Sequence, residues 1–364
     1  MKLFKCPVCG QRLYFENTRC EQCGCTLGYV PERAELTALG AQGGQVWRAL
    51  DGDRRRYRFC NNAAWEACNW LIEAEAPATY CCACRLNRTI PDLSEPENLT
   101  RWRVLEQAKH RLVYTLLALD LPLTDRFSDP ARGLAFDFLA GEPGGDGARA
   151  VTGHASGVIT LAVEEADDVQ RERSKSEMAE PYRTVLGHFR HEIGHYYFDR
   201  LVTPGVLLTT FRTLFGDERL SYPDALQAHY MNGPPADWRN HFISSYASSH
   251  PWEDFAETWA HYLHIIDTME TAAAFRMRLD PHGDPGVVRP DTGEDGPSVF
   301  SSVDPRDFDA LIAAWGPLTQ ALNSLSLSMG QGELYPFVLP PPALGKMRFV
   351  HGLIHAPESQ LRPA

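Results

Sequence analysis

Arg190-His191-Glu192-Ile193-Gly194-His195-Tyr196 contains His-Glu-x-x-His, and the reading of this stretch decides the fold. On a helix, side chains four residues apart stand over one another. His191 and His195 would therefore project from one face, close enough to hold one Zn²⁺ through imidazole nitrogens. Glu192 beside the first His is then placed to take a proton from the attacking water. So short a motif also arises by chance, and its surroundings have to settle the matter.

Tyr196-Tyr197-Phe198-Asp199-Arg200 supplies neither the Gly nor the third His of a metzincin continuation, so a third ligand has to come from elsewhere. The segment after Pro251, Trp252-Glu253-Asp254-Phe255-Ala256-Glu257, offers two carboxylates four apart on one helix face. We assign Glu253 as the ligand. Glu257 is assigned as the group that accepts the far N–H of a ligand His and fixes its tautomer. Asp254, elsewhere on the helix, is the weaker rival. Tyr246 lies seven residues before Glu253 and is a candidate donor to the oxyanion formed when water attacks a carbonyl; the alternative for a lone Tyr is packing. His188, three before His191, reads as a packed histidine or one supporting the site rather than a ligand.

Working outward, apolar residues recur at helical spacing over 99–119, after a linker at 91–98. Two strand-like runs follow, 133–139 (GLAFDFL) and 157–163 (GVITLAV), separated by a Gly-rich turn at 141–145. The second run is the natural candidate for a sheet edge that could hold an extended peptide, and an internal place suits its apolar character equally. Helices are expected over 181–201, over 204–242 with breaks at Pro223 and Gly233, over 251–275 and over 305–327. Residues 280–302 read as loop, and Pro340-Pro341-Pro342 opens a short apolar tail. The fold class is α+β: a mainly helical zincin-like domain with a small sheet, preceded by zinc-ribbon modules. The boundaries are 1–30 for a first ribbon, 31–95 for a second four-cysteine module, 96–280 for the zincin-like domain and 281–364 for a C-terminal loop, helix and tail.

All ten cysteines fall between Cys6 and Cys84. Cys6, Cys9, Cys20 and Cys23 form two C-x2-C knuckles, each followed by a glycine suited to positive φ. Cys25 is the spare and the rival to Cys23. Cys60, Cys68, Cys81 and Cys84 make a looser second set, with Cys82 left over. Four thiolates leave no open coordination position, so both sites read as structural zinc. Metal binding of about 10–16 kcal/mol would support a region with few aliphatic runs. The expected metals are one catalytic and two structural Zn²⁺.

The net charge of −12 is uneven: residues 1–95 carry 12 basic against 11 acidic side chains, leaving the remainder at −13. An acidic body disfavours nucleic acid as a partner. No apolar run is long enough to span a membrane. A cysteine pair precedes any apolar leader segment, so a cytoplasmic location is expected.

The E-x-F-A-E helix with a Tyr seven residues upstream is similar to the zinc site of gluzincin peptidases such as the anthrax lethal factor catalytic domain. There the first Glu is the ligand and the Tyr assists catalysis. Across nearly its whole length the chain also resembles a bacterial family of zinc-binding metallopeptidases with an N-terminal zinc ribbon. The likeness is carried by Cys68-Asn69-Trp70, the run from Cys84 to Pro91, Gly157-Val158-Ile159-Thr160-Leu161, Glu164-Glu165-Ala166-Asp167, and the two site segments. The resemblance implies peptide hydrolysis: His191, His195 and Glu253 on zinc, Glu192 as general base, Tyr246 on the oxyanion, and a peptide or protein as substrate that the ribbons could recruit. The rival is a non-catalytic zinc-ribbon module that binds protein or nucleic acid and carries a structural third zinc.

Overall fold

Short strands dominate the first part of the chain. In the computed structural model, which describes residues 2–53, 55–141, 152–168, 184–202, 204–279, 300 and 303–356, β1 (Phe4–Lys5) and β2 (Arg12–Leu13) pair as a small antiparallel hairpin. Next come β3 (Thr26–Val30), β4 (Glu35–Ala41), β5 (Trp47–Ala49), β6 (Arg56–Phe59) and β7 (Leu71–Glu73). They form a five-stranded antiparallel sheet in sequence order. Its first and last strands approach each other: Tyr29 bridges Trp70, and the Tyr29 N–H donates to Asn69 O at 2.8 Å. Gly28 permits this closeness, because a Cβ there would lie 2.6 Å from Leu71 Cγ. Val30, Leu39, Ala49, Tyr57 and Leu71 fill the interior. The sequence reading did not anticipate this sheet. Its strands are three to seven residues long, and Gly28, Gly40, Arg48, Arg56 and Arg58 break the apolar alternation in four of them.

The chain divides into two units, Leu3–Pro204 and Gly205–Ala364. In the first, α1 (Pro96–Ala118) starts inside the expected linker, with Pro96 at its first helical position. It buries Trp102, Leu105, Leu112, Val113 and Leu116. On its same buried side Tyr114 meets Phe15 at 5.3 Å and Tyr29 at 6.3 Å between ring centroids, joining the helix to the ribbon and the first sheet. A second sheet has the order β10-β11-β9-β8, built from β8 (Asn87–Thr89), β9 (Ala135–Leu139), β10 (Gly153–Ala155) and β11 (Val158–Ala162). β9 runs parallel to both β8 and β11, and β10 is antiparallel to β11. The run at 157–163 is thus an interior strand, and β10 is the edge in its place. Phe136 and Phe138, two apart on one face of β9, pack edge-on against Phe189. Phe189 belongs to α2 (Val185–Leu201), whose start is capped where the Gly187 N–H donates to Thr184 Oγ1 at 2.9 Å.

The second unit is helical: α3 (Val206–Phe215), α4 (Tyr222–Asn232), α5 (Pro251–Ala274), α6 (Phe308–Ser328) and α7 (Pro341–Ile354). Pro223 opens α4 rather than breaking it, and Gly233 ends it in a left-handed conformation. His250 caps α5: its Nε2–H donates to Leu220 O at 3.2 Å, which leaves Nδ1 to accept from the Trp252 N–H at 3.1 Å. α7 replaces the expected tail. Proline is tolerated in the first turn, so the Pro triplet marks a helix start. Lys346 of α7 reaches Asp254 of α5 at 2.5 Å, and Tyr262 OH lies 2.9 Å from His351 Nδ1. The expected loop at 280–302, apart from Phe300, most of the Gly-rich turn at 141–145 and the first residues of the expected helix at 181–201 lie outside the described residues. The architecture is α+β, with seven α-helices among the described residues and three small sheets.

Candidate metal centres

The β1–β2 hairpin and the turn before β3 bring Cys6, Cys9, Cys20 and Cys23 together, one sulfur from each lying within 4.8 Å of the others. Cys6 and Cys23 sulfurs are 3.6 Å apart, as are those of Cys9 and Cys20. Two thiolates at about 2.3 Å from a tetrahedral zinc lie roughly 3.8 Å from each other, so the spacing fits that ion. Gly10 and Gly24 have φ of 76° and 72°, closing each knuckle as the sequence suggests. Cys25 stands outside the quartet, and its carbonyl accepts from the Cys20 N–H at 2.9 Å.

Cys60, Cys68, Cys81 and Cys84 form a second quartet within the same 4.8 Å limit. Backbone N–H groups of Trp70, Cys81 and Cys84 point at the sulfurs of Cys68, Cys60 and Cys81 at 3.3, 3.5 and 3.4 Å. Such donors stabilise thiolate charge. Cys82 is not in the group, and burial pushes its thiol up to about 12, against a thiolate role. Beside this quartet stands a set that motif reading misses. His110 Nε2 lies 3.5 Å from Cys84 Sγ, its Nδ1–H donates to Glu106 O at 2.6 Å, and Lys109 Nζ pairs with Glu106 Oε1 at 2.7 Å. Burial alone would lower the His110 pKa, but the Cys84 sulfur and Glu106 carboxylate raise it. Glu106, Lys109 and His110 sit at i, i+3 and i+4 on the buried side of α1; charged residues on that side were the available signal.

On α2, His191 and His195 turn toward each other, with Nε2 atoms 3.2 Å apart. Two nitrogens bound to one tetrahedral zinc at about 2.0–2.1 Å would be roughly 3.3 Å apart, so the pair fits chelation. The His154 ring of β10 stacks over His195 with centroids 6.2 Å apart. His154 Nε2 accepts from the Gly157 N–H at 3.0 Å, and burial drops its pKa to about 4, so this ring is neutral. Glu192 is 5% exposed; His188 Nε2–H donates to its Oε1 at 3.1 Å, and its Oε2 is buried with no hydrogen-bond partner among the described residues. Burial opposes the charge of Glu192, yet His188 holds its carboxyl below the usual range. His188 Nδ1–H in turn donates to Glu165 Oε2, and Thr152 Oγ1–H donates to Glu165 Oε1 at 2.6 Å. Burial would lower His188, but the two carboxylates raise it to about 9. His188, read from the sequence as packed or supporting, lies between Glu165 and Glu192. Glu165, left without a role by the sequence, supports it.

The remaining expected site residues belong to the second unit. Glu253, in the first turn of α5, is 1% exposed and accepts from Tyr222 OH at 2.6 Å. Glu257 Oε2 accepts from Ser244 Oγ–H at 2.6 Å. Asp254 faces Lys346 rather than the Glu253 side of the helix, and burial raises its carboxyl to about 7 despite that partner. Tyr246 lies in a single 3-10 turn, Tyr246–Ser248, just before α5, its ring edge-on to His229 at 6.0 Å. Tyr222 escapes sequence reading because its partner is 31 residues away.

No helix among the described residues is long and apolar enough to cross a membrane. No solved structure matches the chain. Uncharacterized proteins of Mycobacterium bovis and of two Mycobacterium tuberculosis strains are each 42% identical over 365 residues, covering 100% of this chain and 98% of theirs. Residues 3–95 match a family described as "zinc-ribbon domain". Residues 98–353 match one described as "Putative zinc-binding metallo-peptidase". The cysteine and histidine clusters are the donor sets such a description calls for, and the chain belongs to this family of zinc-binding metallopeptidases with an N-terminal zinc ribbon.

Proposed function

We propose that the protein is a gluzincin-type, zinc-dependent peptidase. The observation that carries the reading is the pairing, on one helix, of converging His191 and His195 nitrogens with a buried carboxylate, one oxygen of which has no hydrogen-bond partner among the described residues. Glu253 is the third ligand in this reading. It is a buried acid, and its hydrogen bond from Tyr222 would orient it as partners orient metal-binding carboxylates. Glu257 steadies a ligand histidine. Bound zinc supplies a Lewis acid that polarises a peptide carbonyl and lowers the pKa of water to about 7. Glu192 takes a proton from the attacking water and passes it to the leaving amine nitrogen. Tyr246 donates to the oxyanion. An extended peptide adds to β10, which pairs only with β11 among the described residues and carries His154 against His195. The two cysteine quartets hold structural zinc, and their module recruits a protein substrate. An acidic body and reduced, paired cysteines suit a cytoplasmic enzyme acting on protein rather than nucleic acid.

The test compares wild type with Glu192→Gln on a quenched-fluorescent peptide library, with zinc measured by atomic absorption. The expected result is zinc-dependent cleavage by wild type and none by the variant at equal zinc content. Equal cleavage by both, or no zinc-dependent cleavage by wild type, overturns the reading.

A further inference from the structure

The short 3-10 helix Val163–Ala166 is tethered on both sides. The Gly141 N–H donates to Glu164 Oε1 at 3.0 Å, and Arg101 of α1 grips Asp167 through Nε at 3.1 Å to each oxygen. Glu165 is therefore presented from a fixed backbone, with Thr152 on Oε1 and His188 on Oε2. His188 stands one turn before Glu192 on α2, and its other nitrogen reaches Glu192 Oε1 at 3.1 Å. Ionised carboxylates only accept hydrogen bonds, so a ring facing one through each nitrogen carries both protons. The result is a carboxylate, an imidazolium and a second carboxylate in a line, all three side chains largely buried.

We propose that Glu165 and His188 are positioning residues for Glu192, a role that rests on the peptidase reading of this helix. His188 occupies Oε1 with a charge-assisted hydrogen bond, the stronger kind. That bond fixes the plane of the carboxylate: one oxygen, here Oε1, is committed to His188, and the other is left to face the reacting water. In the hydrolytic step the water O–H proton moves to Oε2 as the water oxygen bonds to the carbonyl carbon. The C–N bond then breaks, and the same proton leaves Oε2 for the amine nitrogen. His188 keeps both of its protons throughout. Groups that hold a reacting side chain in its working orientation matter through rate more than through substrate binding.

The experiment uses the full-length zinc-loaded protein and the variants Glu165→Gln and His188→Gln. Steady-state kinetics are read on the best-cleaved library peptide, and two-bond 1H–15N spectra on histidine-labelled protein, with the His188→Gln spectrum assigning the signal. Both variants should lose about 10- to 100-fold in kcat, with KM within about twofold and zinc content unchanged. Wild-type His188 should show two protonated ring nitrogens at neutral pH, and Glu165→Gln should convert one to the unprotonated form. Variants that turn over like a cleaving wild type remove the positioning role and leave the peptidase reading intact. A neutral His188 in wild type overturns the proposal whatever the kinetics. A wild type that cleaves nothing removes the reading and the role together. Should His188→Gln misfold by circular dichroism, the isosteric Glu165→Gln decides.

Discussion

The cysteine module and the histidine helix gather metal donors in opposite ways. In the module each quartet is closed: four sulfurs converge, and in the second quartet backbone N–H groups point at three of them. On α2 the His191 and His195 nitrogens converge, and beside them stands an acid held by a buried hydrogen-bond line. A closed set of anionic ligands suits a metal that holds the fold together. Two neutral ligands beside a poised base suit a metal that works on a substrate. On the proposed reading, donor type and support are what would separate the two roles.

The comparison breaks most visibly under ligand removal. Cys60→Ser should forfeit most of an apparent metal-binding contribution of about 10–16 kcal/mol and unfold the module, seen as rapid proteolysis near residues 55–90. His191→Ala should leave the proteolysis pattern and circular dichroism unchanged while abolishing peptide cleavage. If Cys60→Ser stays folded and His191→Ala does not, the assignment of roles is reversed. Next in size, Glu192→Gln should cut kcat by roughly 10²- to 10⁴-fold at full zinc occupancy, the range for a lost general base. Phe189→Ala should destabilise the protein by about 3–5 kcal/mol in a denaturant melt, because its ring is fully buried against Phe136 and Phe138.

A smaller effect sharpens the contrast through pH. His188 titrates at about 9 in the folded chain against an ordinary 6.5, since Glu165 and Glu192 outweigh the opposing effect of burial. A raised value means that its contribution is full below pH 6.5 and fades as pH rises through 9. Melts of the zinc-loaded protein between those limits should lose stability with rising pH, and Glu165→Gln should flatten the slope. An unchanged slope would place the titrating group elsewhere. Smallest is Thr184→Ala, which removes the cap of α2 and should cost about 1 kcal/mol in the same melts.

Much of this was legible because it is local. The knuckles, the His pair, and the periods of α1, α2 and α5 each declare themselves within a few residues. So do the two apolar runs that become β9 and β11. What stayed hidden depends on residues distant in sequence. Glu165 and His188 are 23 apart, Cys84 and His110 are 26, and Tyr222 and Glu253 are 31. The place of β11 inside the sheet was hidden for the same reason, since an apolar strand reads alike whether one or both edges are paired. The five-stranded sheet was missed because Gly or Arg breaks the apolar alternation in four of its strands, and α7 because proline is read as an end when it also serves as a beginning.

The contact between His110 and Cys84 carries a kinetic consequence. The last sulfur of the second quartet is reached at Cys84, but the side chains that shield it are supplied by α1, beyond Pro96. During synthesis, at about 5–20 residues per second, the four thiols are therefore complete seconds before their cover exists. A metal captured in that interval would meet no cover from α1. With α1 closed over Cys84, a metal held there would have to wait for that helix to lift before leaving.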